Sequence, residues 1–150
     1  SIPGAADKIL ADKKELAEHV TIVDLLRNDL STVATDVRVT RFRYVDTIKT
    51  NSKHLLQVSS EICGKLPHDY HTRCGTLLMS MLPAGSVSGA PKAKTLSIIA
   101  AAEQEPRGYY TGVFGIFDGY RMDSGVMIRY IEKENGQLYY RSGGGITTQS

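Results

Sequence analysis

The sequence contains no tryptophan and only two cysteines, Cys63 and Cys74. Two thiols are too few for a disulfide framework or a structural zinc site. They read as free thiols in a reducing cytoplasm. No run approaches the roughly 18 consecutive apolar residues that a membrane span requires, so no membrane partner is expected. A basic start followed by an apolar segment is also missing, so no signal peptide is visible. No charge sign dominates: 18 basic against 16 acidic residues leave a net charge of +2. That balance gives no reason to expect a nucleic-acid partner. Glycine is nearly absent from the first half. Of the 14 glycines only Gly4 precedes residue 64, and the other 13 lie between Gly64 and Gly145. Unusual backbone conformations, or close backbone approach to a ligand, are therefore expected in the second half.

What is present fits a soluble globular chain: 150 residues, 41% hydrophobic and 23% charged, read as one folded unit or one piece of a larger one. Residues 7–30 read as a helix. Asp12 and Glu15 have capping-box spacing, although the helix could also begin near Asp7. Leu16, Val20, Val23 and Leu30 fall on one face, and Ile22, Leu25 and Leu26 widen the apolar surface, which predicts burial on more than one side. Residues 36–46 alternate as a strand, with a slip near Thr40 that predicts a bulge. Residues 55–63 read as a second strand, and a short helix is expected from Asp69 to Met81. The loop LPAGSVSGAPK (82–92) precedes a helix running to about Glu105, with Pro91 suited to its first turn. Strands are expected over 109–119, 125–133 and 137–142, joined as a meander, with Asn135-Gly136 a strong hairpin turn. The pattern is α+β, an antiparallel sheet with flanking helices.

Several residues could carry chemistry. Glu15, Glu18 and His19 stand at i, i+3 and i+4, so two carboxylates can converge on a hard cation such as Mg²⁺. A solvated charged turn near a helix start is the competing reading, and His19 suits a satisfied polar residue better than a ligand. Asp24, Arg27, Asn28 and Asp29 suggest a buried ion network fixing the helix, not a catalytic group. His54 could orient a substrate group or move a proton, or could simply be half-buried with a backbone partner. In GSVSGAPK, the glycines and the following helix start suit an anion, and the spacing is not that of a Walker A loop. Arg129, read inside a central strand VMIRYIE, would need a carboxylate partner, either the protein's own or a bound one. The Tyr110 hydroxyl and the run Gly143–Gly145 add donors. Together these suggest a pocket for a small anion bearing more than one carboxylate, beside an acidic metal corner.

The segments KELAEHVTIVDLLRNDLSTVA (14–34), KHLLQVSSEICGKL (53–66), LPAGSVSGAPKAKTLSIIAAAE (82–103), RGYYTGVFGIFDG (107–119), VMIRYIE (126–132) and SGGGIT (142–147) resemble, in order, those of the chorismate-utilising enzymes. Within that family the likeness is nearest to component I of aminodeoxychorismate synthase, with component I of anthranilate synthase a near neighbour. The resemblance implies part of the family's chorismate-binding α/β/β/α fold. It implies Mg²⁺ held by Glu18, with Glu15 reaching the ion through water. It implies His54 against the substrate ring, Ser86 near the substrate, Tyr110 and Arg129 gripping a carboxylate, and the amides of Gly143, Gly144 and Gly145 beside it. The implied reaction is Mg-dependent amination of chorismate to 4-amino-4-deoxychorismate for para-aminobenzoate and folate synthesis. Its ammonia would come from a glutamine amidotransferase subunit.

Departures from the family pattern qualify these expectations. The family's lysine-containing P-x-K-G-T motif and general-acid glutamate should lie ahead of residue 1, and its second magnesium glutamate beyond Ser150. The segment before His54 reads SKHL where members have VHHL or VMHL. The chain is therefore expected to be a C-terminal piece that is inactive by itself, and exposed sheet edges would favour a homo-oligomer. GSVSG is closer to the GSITG loop of the folate branch than to the GTLSG loop of the tryptophan branch. Anthranilate synthesis remains the alternative within the family, and a non-catalytic anion-binding module the alternative outside it.

Overall fold

The computed structural model describes residues 4–146, so the last residue of the SGGGIT segment lies outside the described residues. The chain forms two compact units, Ser1–Pro67 and His68–Ser150, and each is described by itself.

The first unit is two helices on a long two-stranded ribbon. The expected single helix is two, α1 (Ala5–Ala11) and α2 (Lys13–Ser31), because Asp12 takes an extended conformation between them, with φ −68° and ψ 117°. Strand β1 (Thr35–Lys49) pairs antiparallel with β2 (His54–Lys65). Fifteen residues of β1 face twelve of β2, and three register shifts absorb the difference. One falls between Val39 and Arg41, where the sequence slips at Thr40. The other two are marked by Asp36 at φ +52° and Arg43 at φ +47°, the left-handed residues that bulges use. Along α2 only Val23 and Asp29 are buried, and Val20 is 46% exposed. Burial on several sides is not found: within this unit α2 packs on the ribbon and, lightly, against α1, which leaves its remaining surface exposed. Asp24 and Arg27 form an exposed pair at 3.3 Å, not the buried network expected.

The second unit opens with a short 3₁₀ turn (Tyr70–Thr72) and α3 (Cys74–Met81). Inside the expected loop lies a single helical turn, α4 (Gly85–Ser88), followed by α5 (Lys92–Glu103) with Pro91 as its N-cap. Two hairpins follow: β3 (Val113–Phe117) with β4 (Met122–Val126), and β5 (Tyr130–Glu134) with β6 (Gln137–Arg141). Asn135 and Gly136 turn the second at φ +49° and +81°, the paired left-handed geometry for which Asn-Gly is favoured.

The expected meander is therefore two separate ribbons, and Arg129 does not lie within a strand. After β4 the backbone of Met127 is clasped by Thr111 and Gly112 at 2.8 and 2.9 Å, and Ile128 N–H turns back to Val126 at 3.0 Å. Arg129 follows at φ +54°, which ends the pleat. Its side chain is exposed, so its charge stays hydrated and needs no buried partner. The fold is α+β, and every strand pair is antiparallel. Val23 is the only hydrophobic residue buried among those described, while Phe114, Ile116, Ile131 and Leu138 stand 62–80% exposed. No helix among the described residues is long and apolar enough to cross a membrane.

Candidate functional site

Asp12 sets the frame of the acidic corner. Its carboxylate accepts the N–H groups of Lys14 and Glu15 at 2.9 and 3.0 Å, an N-cap that fixes where α2 begins. Glu15 therefore falls in the first turn and Glu18 one turn later, neighbours on the helix surface. Both are exposed. Glu18 lies 3.9 Å from the Lys14 ammonium across two exposed side chains, too weak a tie to hold its carboxylate. Among the described residues no three His, Cys, Asp or Glu side chains converge. What α2 offers is two hard oxygen donors, which fits an ion that keeps several waters.

His19 turns away from this pair. Its Nε2 is 2.7 Å from Ser60 Oγ on β2, and its ring meets Phe42 edge-on with centroids 5.8 Å apart. Ser60 Oγ already accepts the Arg43 N–H at 2.9 Å, so its proton is available to an unprotonated Nε2. Burial, and then the Arg43 guanidinium, hold the His19 pKa below the usual imidazole value. His19 is thus a satisfied polar residue of the helix–ribbon packing. His54 opens β2 opposite Lys49, directly after the turn in which Thr50 N–H reaches Lys53 O at 2.9 Å. It is exposed, not half-buried.

In the second unit Ser86 lies exposed on α4, while Ser88 is buried with its hydroxyl donating to Ala84 O at 3.0 Å. Lys92 Nζ donates to Met81 O at 3.2 Å, tying α5 back to the end of α3. Tyr110 sits in a tight turn held by Tyr110 N–H to Arg107 O at 2.9 Å and Gly112 N–H to Tyr109 O at 3.0 Å. Its hydroxyl lies so close to the backbone of Gly143 that a β-carbon there would overlap it. Gly144 and Gly145 have open space where side chains would stand, so this run can be approached. The Tyr110 side of the groove is completed by Glu103, Arg107, Tyr140, Arg141 and Ser142. Arg107 and Arg141 are each paired to a carboxylate, Glu103 and Glu132, at 2.7 and 2.6 Å. The structure thus joins Tyr110 to the glycine run. Arg129 follows two residues after Met127, the partner of Thr111 and Gly112, in the adjoining segment. Arg107 and Glu103 carry no motif of their own in the sequence. Their E-x-x-x-R spacing was the available signal.

The fold is thus an α+β chain with antiparallel hairpins, whose second unit seats a tyrosine hydroxyl on a glycine run. Residues 4–150 match the family described as chorismate binding enzyme, and the chain belongs to that family. Over 150 residues it is 57% identical to an uncharacterized PabA-like protein of Pasteurella multocida, covering all of this chain and 46% of that protein. It is 38% identical over 148 residues to anthranilate synthase component 1 of Arthrobacter globiformis, covering 97% of this chain and 27% of the relative. It is 36% identical over 149 residues to aminodeoxychorismate synthase component 1 of Bacillus subtilis, covering 97% and 30% respectively. The chain thus spans less than half the length of these relatives.

Proposed function

We propose that this chain carries one part of the site of a magnesium-dependent enzyme that aminates chorismate to 4-amino-4-deoxychorismate, with ammonia from a glutamine amidotransferase partner. The observation that supports it best is the seating of Tyr110 on the Gly143 backbone within a chain that matches the chorismate binding enzymes from residue 4 to 150. A phenolic hydroxyl beside an approachable glycine backbone suits a carboxylate, which takes hydrogen bonds from O–H and N–H donors together. Arg129, exposed in the adjoining segment, supplies the guanidinium for the same carboxylate. Ser86, exposed on α4, and His54, exposed at the start of β2, are the other substrate-facing residues that the family resemblance implies. Glu15 and Glu18 would hold Mg²⁺, which when bound offsets carboxylate charge and helps the hydroxyl leave.

Identity to relatives named for the two amination reactions is nearly equal, 38% and 36%, so the GSVSG loop carries the choice of branch. The test incubates the product of the full coding sequence with chorismate, ammonium and Mg²⁺. Para-aminobenzoate that forms only when a lyase is added supports the reading. Anthranilate fluorescence without a lyase moves the protein to the other branch, and no turnover of chorismate refutes both. Residues 1–150 alone are expected to be inactive with ammonium and chorismate, as a non-catalytic anion-binding module would be. Product formed by those residues alone would overturn that expectation.

A further inference from the structure

Between α5 and the tyrosine turn runs a chain of contacts that the carboxylate cradle by itself does not require. Glu103, the last residue of α5, holds Arg107 with both oxygens: Nε and Nη2 each donate at 2.7 Å. The third nitrogen of the fork, Nη1, donates to Thr111 Oγ1 at 3.2 Å. The guanidinium carbon stands 5.5 Å from the Tyr110 ring centroid, within reach of a cation–π attraction. Thr111 is 9% exposed and lies at φ +64°, a conformation that β-branched residues avoid. It persists because two ties converge on it: the Arg107 fork and its own N–H to Met127 O at 2.8 Å. Such over-determined strain collects where a side chain must be aimed. The side chain aimed by this turn is Tyr110, whose hydroxyl meets Gly143.

We propose that Arg107, clamped by Glu103, is a positioning residue that fixes the Tyr110 hydroxyl against the Gly143 backbone, in the place where a substrate carboxylate is received. The nature of the ligand rests on the chorismate reading above; the aiming of Tyr110 does not. Lysine cannot replace this arginine, because one planar fork grips a carboxylate bidentately, a hydroxyl and an aromatic face together.

The experiment uses protein from the full coding sequence with ring-labelled tyrosine, in wild type, Arg107→Lys, Arg107→Ala, Glu103→Gln, Tyr110→Phe and the Arg107→Ala/Tyr110→Phe double variant. Without ligand, Arg107→Lys and Arg107→Ala are expected to shift the Tyr110 ring and Gly143 amide resonances while the bulk of the amide spectrum holds. With chorismate, calorimetry should show affinity weakened about tenfold by Arg107→Ala and by Tyr110→Phe. The double variant should be no weaker than Tyr110→Phe, since a residue that acts through another adds nothing once that other is gone. Glu103→Gln should fall between, at about threefold. Unmoved Tyr110 and Gly143 signals in Arg107→Lys, or losses that multiply to about a hundredfold in the double variant, would overturn the proposal. If Arg107→Ala does not fold, Arg107→Lys and Glu103→Gln decide it by the same two readouts. If wild type binds no chorismate, the chorismate reading fails and the ligand-free spectra still decide the role of Arg107.

Discussion

Gly143→Ala is the most revealing single change in this chain. The glycine is exposed, follows the last residues of β6 and does not sit in the left-handed region. Its backbone therefore tolerates alanine, and unfolded-state entropy alone would favour the substitution by a few tenths of a kcal/mol, ~0.4 or more. The new methyl overlaps the Tyr110 hydroxyl, and relief comes by swinging the phenol away from the glycine run. Stability should thus stay within about 0.5 kcal/mol of wild type, a melting shift of no more than about 2 °C for a chain of this size. Binding should respond far more, since misplacing a positioning group by about 1 Å can cost up to a hundredfold. We expect chorismate affinity to fall by about ten- to a hundredfold. Gly144→Ala is the control for folding: no atom lies within 4 Å of its added carbon, so melting should stay near wild type. Calorimetric titration and thermal melting of the two variants read both quantities. A Gly143→Ala protein that binds chorismate within about twofold of wild type, at an unchanged melting temperature, would refute the placement of Tyr110 in the carboxylate cradle.

Glu18→Gln should weaken Mg²⁺ binding, read by calorimetric titration of the metal alone, by about tenfold, and Glu15→Gln by less, since neutral amides are poorer ligands for a hard cation; equal affinity in wild type and Glu18→Gln would remove α2 from the metal site. His19 has a folded pKa below its ordinary value, so the unfolded chain binds its proton more readily. Its contribution is fully present above about pH 6.5 and is lost as pH falls from there through the lower folded pKa. Urea unfolding of the first unit should show this loss in wild type and a flatter profile in His19→Gln; identical profiles would contradict the burial of the imidazole. Asn135→Ala removes the short polar side chain that lets asparagine tolerate φ +49° in the hairpin turn and should cost about 1 kcal/mol. Denaturant unfolding that finds no cost would mean the turn relaxes.

Local signals in the sequence read correctly where short-range forces decide. Asp12 begins α2 because a carboxylate three residues ahead of Glu15 caps amides that nothing else would satisfy. The slip at Thr40 becomes a bulge because alternation on a two-stranded ribbon can change faces only by an extra residue. Asn135-Gly136 turns because both residues tolerate positive φ. Arg129 reads as a strand residue since apolar neighbours flank it on both sides, yet the clasp between Thr111-Gly112 and Met127 ends the strand before it. No window of sequence around Arg129 contains that information.

The α+β composition, the Asn135-Gly136 turn, the cap at Asp12 as one of two helix starts, and the order of motifs that marks a chorismate binding enzyme are all legible in the amino-acid sequence. These depend on side-chain period, capping and turn chemistry, all of which act within a few residues. Which distant residues meet emerges only in three dimensions: His19 with Ser60, Thr111 with Met127, and the Tyr110 hydroxyl with Gly143. The tertiary structure also separated the expected meander into two ribbons. Such contacts depend on how hairpins and helix ends are brought together in space, and the same local sequence is compatible with many such arrangements.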